Sequence, residues 1–474
     1  VLYFLALWIV LIGWAWASPV GSSPDDDYHL PSIWCAHGVS ADVCSDEDVD
    51  AASLAVPSAV ATSSACYRFE ATIPGTCADA LVASAAEGGA GATLQPTDRV
   101  NAKVGIYPNS FYSFMHLFVG PDVERSVQVM RVVNGTLAVA ALAWIVALAR
   151  SNVTRAVVVG SAVAWIPLGL SIIPSTNPSS WAFTGLMLLT GMALTLLDPD
   201  PVRGTRGWLA GLGAVVGALM AISARVDASV YVAIVVGVVF VYSGIRLLRE
   251  RRWATTLLVV LALWGVIAYL AAPTPGGATT GSPMGTAERG IGLLLTNVTY
   301  VGVYVQGIVG GWPLSWNDVV LPPSIPIIGT LALGAVIALG MRTMSARKAW
   351  ALALSAAAVV AIPITFLQIE GLGVGDVVQP RYLAPLLLLV VVIALVDSPE
   401  FPTGIRWTLT IGLAFSASVA WWVYAHRFAY GSTTGWFDME TLAPYALPWI
   451  IISGASFTWL WTALRVDPRA RMLR

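Results

Sequence analysis

Pro24-Asp25-Asp26-Asp27-Tyr28-His29 sets three consecutive carboxylates directly after an apolar run from Val1 to about Ala17. Charge at or near a bilayer is costly, so it marks either a site or a wet surface. Neighbouring carboxylates in a low-dielectric setting raise one another's pKa. One can then stay ionised as a base while another orients a hydroxyl or binds a cation. Asp25 and Asp26 are the candidate catalytic pair, and the candidate metal ligands if a divalent cation takes part. Asp27 extends the motif as a further candidate substrate contact, while His29 taken alone is a weak signal, since an isolated His is usually structural. The plainer alternative is a solvated acidic loop, because Asp is also a good turn and N-cap residue.

A second group of chemical interest is Val378-Gln379-Pro380-Arg381-Tyr382-Leu383-Ala384-Pro385. It opens an apolar segment, so Arg381 falls at an interface where a guanidinium can pair bidentately with phosphate. Arg and Tyr are equally suited to anchoring a span end. Tyr107-Pro108-Asn109-Ser110-Phe111-Tyr112 combines helix-stopping residues with interfacial aromatics, and read alone it is an aromatic belt. Pro174 to Ser180 makes a tight external turn. Arg225 and Asp227 mark another, where the two charges can pair with each other.

The elements that must position these residues are membrane helices. Only 11% of the 474 residues are charged and 57% are hydrophobic, with a mean hydropathy of +0.76. A soluble domain carries about 25% charged residues. The fold class expected is an all-α polytopic membrane protein forming a single integral domain over residues 1–474. Apolar runs place about twelve spans, near residues 1–18, 127–149, 155–173, 181–197, 207–223, 228–247, 253–272, 325–341, 349–367, 381–396, 405–424 and 441–464. Segments 106–120 and 290–311 are also apolar but have polar flanks. They read as helices lying in, or dipping into, the outer interface; as full spans they would raise the count to fourteen.

Basic residues gather in short loops: Arg150 to Arg155, Arg203 to Arg206, Arg246 to Arg252, Arg342 to Lys348 and Arg465 to Arg474. The positive-inside rule turns these, and both termini, to the cytoplasm. The first long loop, residues 19–105, is acidic instead, with Asp42, Asp46, Glu47, Asp48 and Asp50 after the triplet. All four cysteines (Cys35, Cys44, Cys66 and Cys77) lie in it, as expected of disulfides in an oxidising exterior. Their pairing is open, since four cysteines allow three connectivities. The first segment, ending Ala15-Trp16-Ala17, also has the look of a signal peptide, though without a basic n-region. Its retention would hold the acidic motif at the membrane surface.

No Walker loop or dinucleotide fingerprint occurs, so ATP hydrolysis and a Rossmann cofactor are not indicated. No basic tract suggests nucleic acid, and no Cys/His spacing suggests a metal centre. The expected span interiors are almost free of charge, with Arg131 and Arg406 near span ends, which argues against an ion-coupled pump.

Taken in order along the chain, these motifs resemble those of a bacterial membrane family called domain of unknown function 2142. Ser18-Pro19 followed by Pro24-Asp25-Asp26-x-x-His29, with Gly38 beyond, resembles its Pro-Asp-Glu-x-x-His start. Tyr107 to Tyr112 resembles its Pro-Pro-x-Tyr-Tyr element. Asn177-Pro178-Ser179 resembles its external Asn-Pro turn, and Gln379-Pro380-Arg381-Tyr382 with Pro385 resembles its Gln-Gly-Arg-Tyr-x-x-Pro. That layout is similar to the C-type (GT-C) integral membrane glycosyltransferases. The resemblance implies an external active site using a polyprenyl-phosphate sugar donor and a cell-envelope glycan, lipid or protein acceptor. Asp25 or Asp26 would be the catalytic carboxylate and Arg381 the donor-phosphate ligand. Gln379, Tyr382 and His29 would support them, and Tyr107 and Asn109 would complete the substrate contacts. No obligatory cofactor is implied, and Mg or Mn is an optional participant. The location implied is a bacterial plasma membrane. The alternative reading is a non-catalytic translocator or scaffold for lipid-linked polysaccharide.

Overall fold

The computed structural model describes residues 1–39, 43–47, 49–200, 202–272, 285, 287–431 and 438–466. Asp42 and Asp48 of the acidic loop, and the basic cluster Arg469 to Arg474, lie outside the described residues.

The chain is helical over most of its length. Ten described helices are long and apolar enough to cross a membrane, so the molecule is a multi-pass membrane protein. These helices do not reproduce the twelve expected spans. The first span and the one at 381–396 are shorter apolar helices, α1 (Leu2–Trp16) and α13 (Pro380–Leu395). The span expected at 155–173 is broken. Helix α5 (Ser151–Ala164) stops before Pro167, and a short helical turn, Leu168–Ile172, follows. Proline lacks the N–H a continuing helix needs, and its ring clashes with the preceding turn. Conversely, Ile291–Gly311 meets the length and composition of a span. It contains helix α10 (Ile291–Tyr300) and a kink where Gly310 takes φ 106°. Several polar contacts hold it and its N-terminal flank to the segment 368–375. Gln368 donates to Gly290 O at 3.3 Å. The buried Asn297 amide bonds Leu372 O and Val374 N at 3.0 Å each, and Gly375 N reaches Tyr304 Oη at 3.4 Å.

The other long helices are α4 (Val123–Leu148), α6 (Ser179–Leu196), α7 (Gly204–Ala224), α8 (Val226–Ser243), α9 (Arg252–Ala271), α11 (Ser324–Gly340), α12 (Ala346–Glu370), α14 (Thr403–Tyr430) and α15 (Ala446–Leu464). Helices α6 and α13 form the centre, and nearly every residue of both is buried. Between helices in lipid, attraction comes from close packing rather than exclusion of water, and small residues permit it. At the α6–α7 crossing a Cβ on Gly185 would lie 2.5 Å from Gly217 O, so a larger residue there must push the helices apart.

The connections sort to two ends of the bundle. At one end Arg150 pairs with Asp198 at 2.9 Å, Asn152 donates to Asp397 at 2.8 Å, Arg347 to Ser243 O at 2.7 Å and Lys348 to Val396 O at 2.8 Å. At the other end lies the segment from 19 to 105. It holds helix α2 (Asp26–Trp34) and a two-stranded antiparallel ribbon, β1 (Leu54–Pro57) with β2 (Leu94–Thr97), Leu54 opposite Thr97. Two disulfides tie it, Cys35–Cys44 and Cys66–Cys77. Arg427, near the end of α14, donates to the carbonyls of Tyr67, Glu70 and Ile73 and pairs with buried Asp318 at 2.6 Å. Helix α3 (Asn109–His116) packs on α2, with His116 bonded to Ile33 O at 2.8 Å.

Candidate active site

Asp25 is the N-cap of α2 and takes a left-handed conformation, φ 60° and ψ 22°. Asp tolerates that region better than most residues. Asp26 and Asp27 fill the first turn of α2, where the helix dipole favours carboxylates. Three successive residues at the start of a helix must point in different directions, and the three carboxylates have three different surroundings.

Asp26 points inward and has no exposure. It accepts from Ser23 N at 2.9 Å and from Thr176 Oγ1 at 2.6 Å, and Arg131 lies 3.8 Å away. Arg131, itself fully enclosed on α4, also donates to Ser18 O, to Pro19 O at 2.8 Å and to Ser22 Oγ at 3.3 Å. Burial pushes the Asp26 carboxyl up to about 6, although Arg131, Thr176 and Ser23 oppose the rise. Such a carboxylate fixes the loop and has no surface from which to meet a substrate. Of the expected pair, Asp25 lines the cavity described below, while Asp26 is enclosed and does not reach it. Asp27 points outward to guanidinium groups, Arg68 at 2.7 Å and Arg99 at 2.6 Å, and so anchors the external segment.

Asp25 keeps 35% of its side chain exposed and meets Arg381 Nη2 at 2.5 Å. Burial works to raise its pKa, but the guanidinium groups of Arg381, Arg99 and Arg225 act against it, and the carboxyl is held below its ordinary value. It is a weak but reliably ionised base. Arg381 is only 3% exposed. It is set at the start of α13 by Pro380, whose fixed φ suits the first helical position. It also donates to Gln379 Oε1 and, at 3.2 Å, to Tyr382 Oη. Its Nε is buried with no hydrogen-bond partner among the described residues.

Around this pair stand aromatic rings. Asn101 accepts from Tyr28 Oη at 2.7 Å and from Tyr107 N at 2.9 Å, which fixes Tyr107 beside His29, the rings 5.2 Å apart. His29 Nδ1 bonds Tyr112 Oη at 2.9 Å, while Nε2 is buried without a described partner. Burial drives the His29 imidazole down to about 3, against the pull of Asp25, so it is neutral at ordinary pH. Asn109 is exposed and bonds Ala36 O and Ser113 Oγ at 3.2 and 3.1 Å. Its amide ties the start of α3 to the end of α2 rather than bonding Asp25 or Arg381. A cavity of about 370 Å³ opens over Asp25, lined by Tyr28, Asp98, Arg99, Val104, Ile106 and Tyr107.

The structure therefore brings Asp25, His29, Tyr107, Gln379, Arg381 and Tyr382 together from segments more than 350 positions apart in the chain. Asn177 links the acidic motif to the turn before α6, donating to Pro24 O at 2.8 Å. One member was missed. Arg225, expected only to pair with Asp227, does so at 2.9 Å. Its guanidinium also lies 3.8 Å from the centre of the Tyr382 ring and 5.5 Å from that of Tyr107. The sole sequence signal was a charged turn in an otherwise uncharged stretch. For a divalent cation the donor set is poor. Asp26 is enclosed and bonded, and the described residues contain no group of three or more His, Cys, Asp or Glu able to hold a metal.

No curated protein and no solved structure matches this chain. A family model does, over residues 7–390, which takes in the acidic motif, the Asn177 turn and the Arg381 segment alike. With that extent of agreement, the chain belongs to the family described as predicted membrane protein (DUF2142).

Proposed function

We propose that this protein is a glycosyltransferase of the GT-C kind, moving a sugar from a polyprenyl-phosphate donor to an acceptor hydroxyl at the outer face of a bacterial plasma membrane. The observation that carries the reading is the Asp25–Arg381 pair, 2.5 Å apart, with Asp25 lining a cavity beside Tyr28 and Tyr107 and Arg381 enclosed behind it. A carboxylate and a guanidinium side by side are the two groups this transfer asks for. Asp25 accepts the proton of the acceptor hydroxyl as its oxygen attacks the anomeric carbon. The bond from that carbon to the phosphate oxygen breaks, its electron pair staying on the oxygen, and Arg381 stabilises the charge that collects there. Attack opposite the leaving group inverts the anomeric centre. The rings of Tyr28 and Tyr107 suit the apolar faces of a sugar, and the cavity volume suits a ligand of that size.

The test is transfer from a polyprenyl-phosphate sugar by the full chain in nanodiscs. Asp25→Asn keeps the shape and tolerates the left-handed backbone, so it should fold and lose transfer by at least about a hundredfold. Unchanged transfer overturns the reading. The translocator reading draws on one observation of its own, a cavity of about 480 Å³ at the opposite end, lined in part by Arg150, Arg246 and Arg347. Flux of labelled carrier across vesicles without bond formation would favour it.

A further inference from the structure

Arg225 is the group for which neither the sequence nor the pairing of Asp25 with Arg381 accounts. A guanidinium with only 12% of its side chain exposed is expensive to hold unless it is used or fully paired. Asp227 faces it on one side. On the other its Cζ stands over Tyr382, 3.8 Å from the ring centre, and that of Arg381 lies 5.0 Å from the centre of the same ring. Tyr107 Oη is 3.5 Å from Arg225 Nη1. Two cations thus share one aromatic ring, and each has one carboxylate: Arg381 has Asp25 and Arg225 has Asp227. The buried Nε of Arg381, with no described partner, shows that the cluster has donor capacity left over.

We infer that Arg225 and Arg381 together form a phosphate subsite built for the dianionic leaving group rather than for the donor. The inference rests on the proposed transfer and adds a charge count to it. At rest the two cations and two carboxylates balance. The donor is a phosphodiester with one negative charge, and the leaving polyprenyl phosphate is a monoester with two. During transfer Asp25 takes the acceptor proton and becomes neutral, so Arg381 loses its carboxylate partner as the phosphate gains its second charge. The negative charge moves from one side of the guanidinium pair to the other. An interaction that is stronger in the transition state, where the second charge is already forming, than in the bound donor is what accelerates a step. Arg225 supplies the second cation that this redistribution needs, and Tyr382 keeps the two guanidiniums from closing on one carboxylate.

Equilibrium binding to the full chain in nanodiscs tests this without any sugar transfer. The probes are farnesyl phosphate at pH 8, a dianion, and farnesyl methyl phosphate, a monoanion, followed by quenching of intrinsic tryptophan fluorescence. Wild type should prefer the dianion. Arg225→Gln should weaken the dianion about tenfold or more and the monoanion less than about threefold, whereas Arg381→Gln should weaken both. Arg225→Lys, which keeps the charge, should recover most of the preference. If Arg225→Gln does not fold, Asp227→Asn serves instead: releasing Arg225 from its carboxylate should tighten the dianion selectively. Equal loss of both probes, or no loss, in Arg225→Gln overturns the inference and leaves the transferase reading standing, as does an unchanged preference in Asp227→Asn. Failure of wild type to bind either probe removes both.

Discussion

At the residue scale, the division between Asp25 and Asp26 is the sharpest feature, since neighbours in sequence differ in exposure, partners and direction of pKa shift. Asp25 is held below its ordinary value by positive neighbours, so transfer should not lose its base until the pH falls below about 3.9. Removing Arg225 or Arg381 takes away charges that lower this pKa. The acid limb of kcat/KM should then move to higher pH in Arg225→Gln and further in Arg381→Gln, and an unmoved limb would separate Asp25 from both. Asp26 has the opposite sign. Its carboxyl titrates at about 6 in the fold, against about 3.9 in an unfolded chain, so the stability it gives is complete below the lower value and lost as pH rises through the higher. The loss amounts to about 3 kcal/mol. Asn at this position does not ionise. The thermal midpoint of wild type relative to Asp26→Asn should therefore be most favourable near pH 4 and fall by pH 7.

At the element scale, the site depends on places where helices stop. Helix α5 ends before Pro167, and the chain from there to Asn177 reaches back to hold Pro24 O. Asn177→Ala leaves a buried carbonyl and loosens the acidic turn, a cost of about 1–3 kcal/mol. Its transfer rate should fall although Asn177 touches no substrate, and the same rate at equal folded fraction would show that the turn needs no such clamp. Helix α2 is held from outside by Cys35–Cys44 at its C-terminal end. Replacing both cysteines with serine should lower the thermal midpoint, by an amount corresponding to about 2–4 kcal/mol, while the Asp25–Arg381 contact and residual transfer persist below that midpoint. Both partners in the site were legible as motifs. Arg225 was not, because nothing in a three-residue turn shows which ring lies across from it.

For the whole molecule, the charged connections occupy one end of the bundle and the acidic, disulfide-tied segment the other. Orientation in the cell can be read from two residues, because Lys103 and Lys348 are the only lysines in the chain. Lys103 is exposed at the acidic end, and Lys348 is 1% exposed at the other. A membrane-impermeant amine reagent should label Lys103 in intact cells. Labelling of Lys103 only after permeabilisation would put Asp25 in the cytosol and end the external-site proposal.

What the sequence determined by itself is the membrane-embedded helical class, the segregation of charge into connections and the four motifs, because each rests on local composition or short-range spacing. It could not determine where the helix at 155–173 breaks or which partners hold the segment Ile291–Gly311, since proline breaks and buried amides such as Asn297 act through distant partners. Only the tertiary structure decided that Asp25 faces the cavity and Asp26 the core, and that Arg225 joins Arg381 across Tyr382. A side chain's direction at a helix start, and its neighbours across a bundle, are set by packing that composition and spacing do not encode.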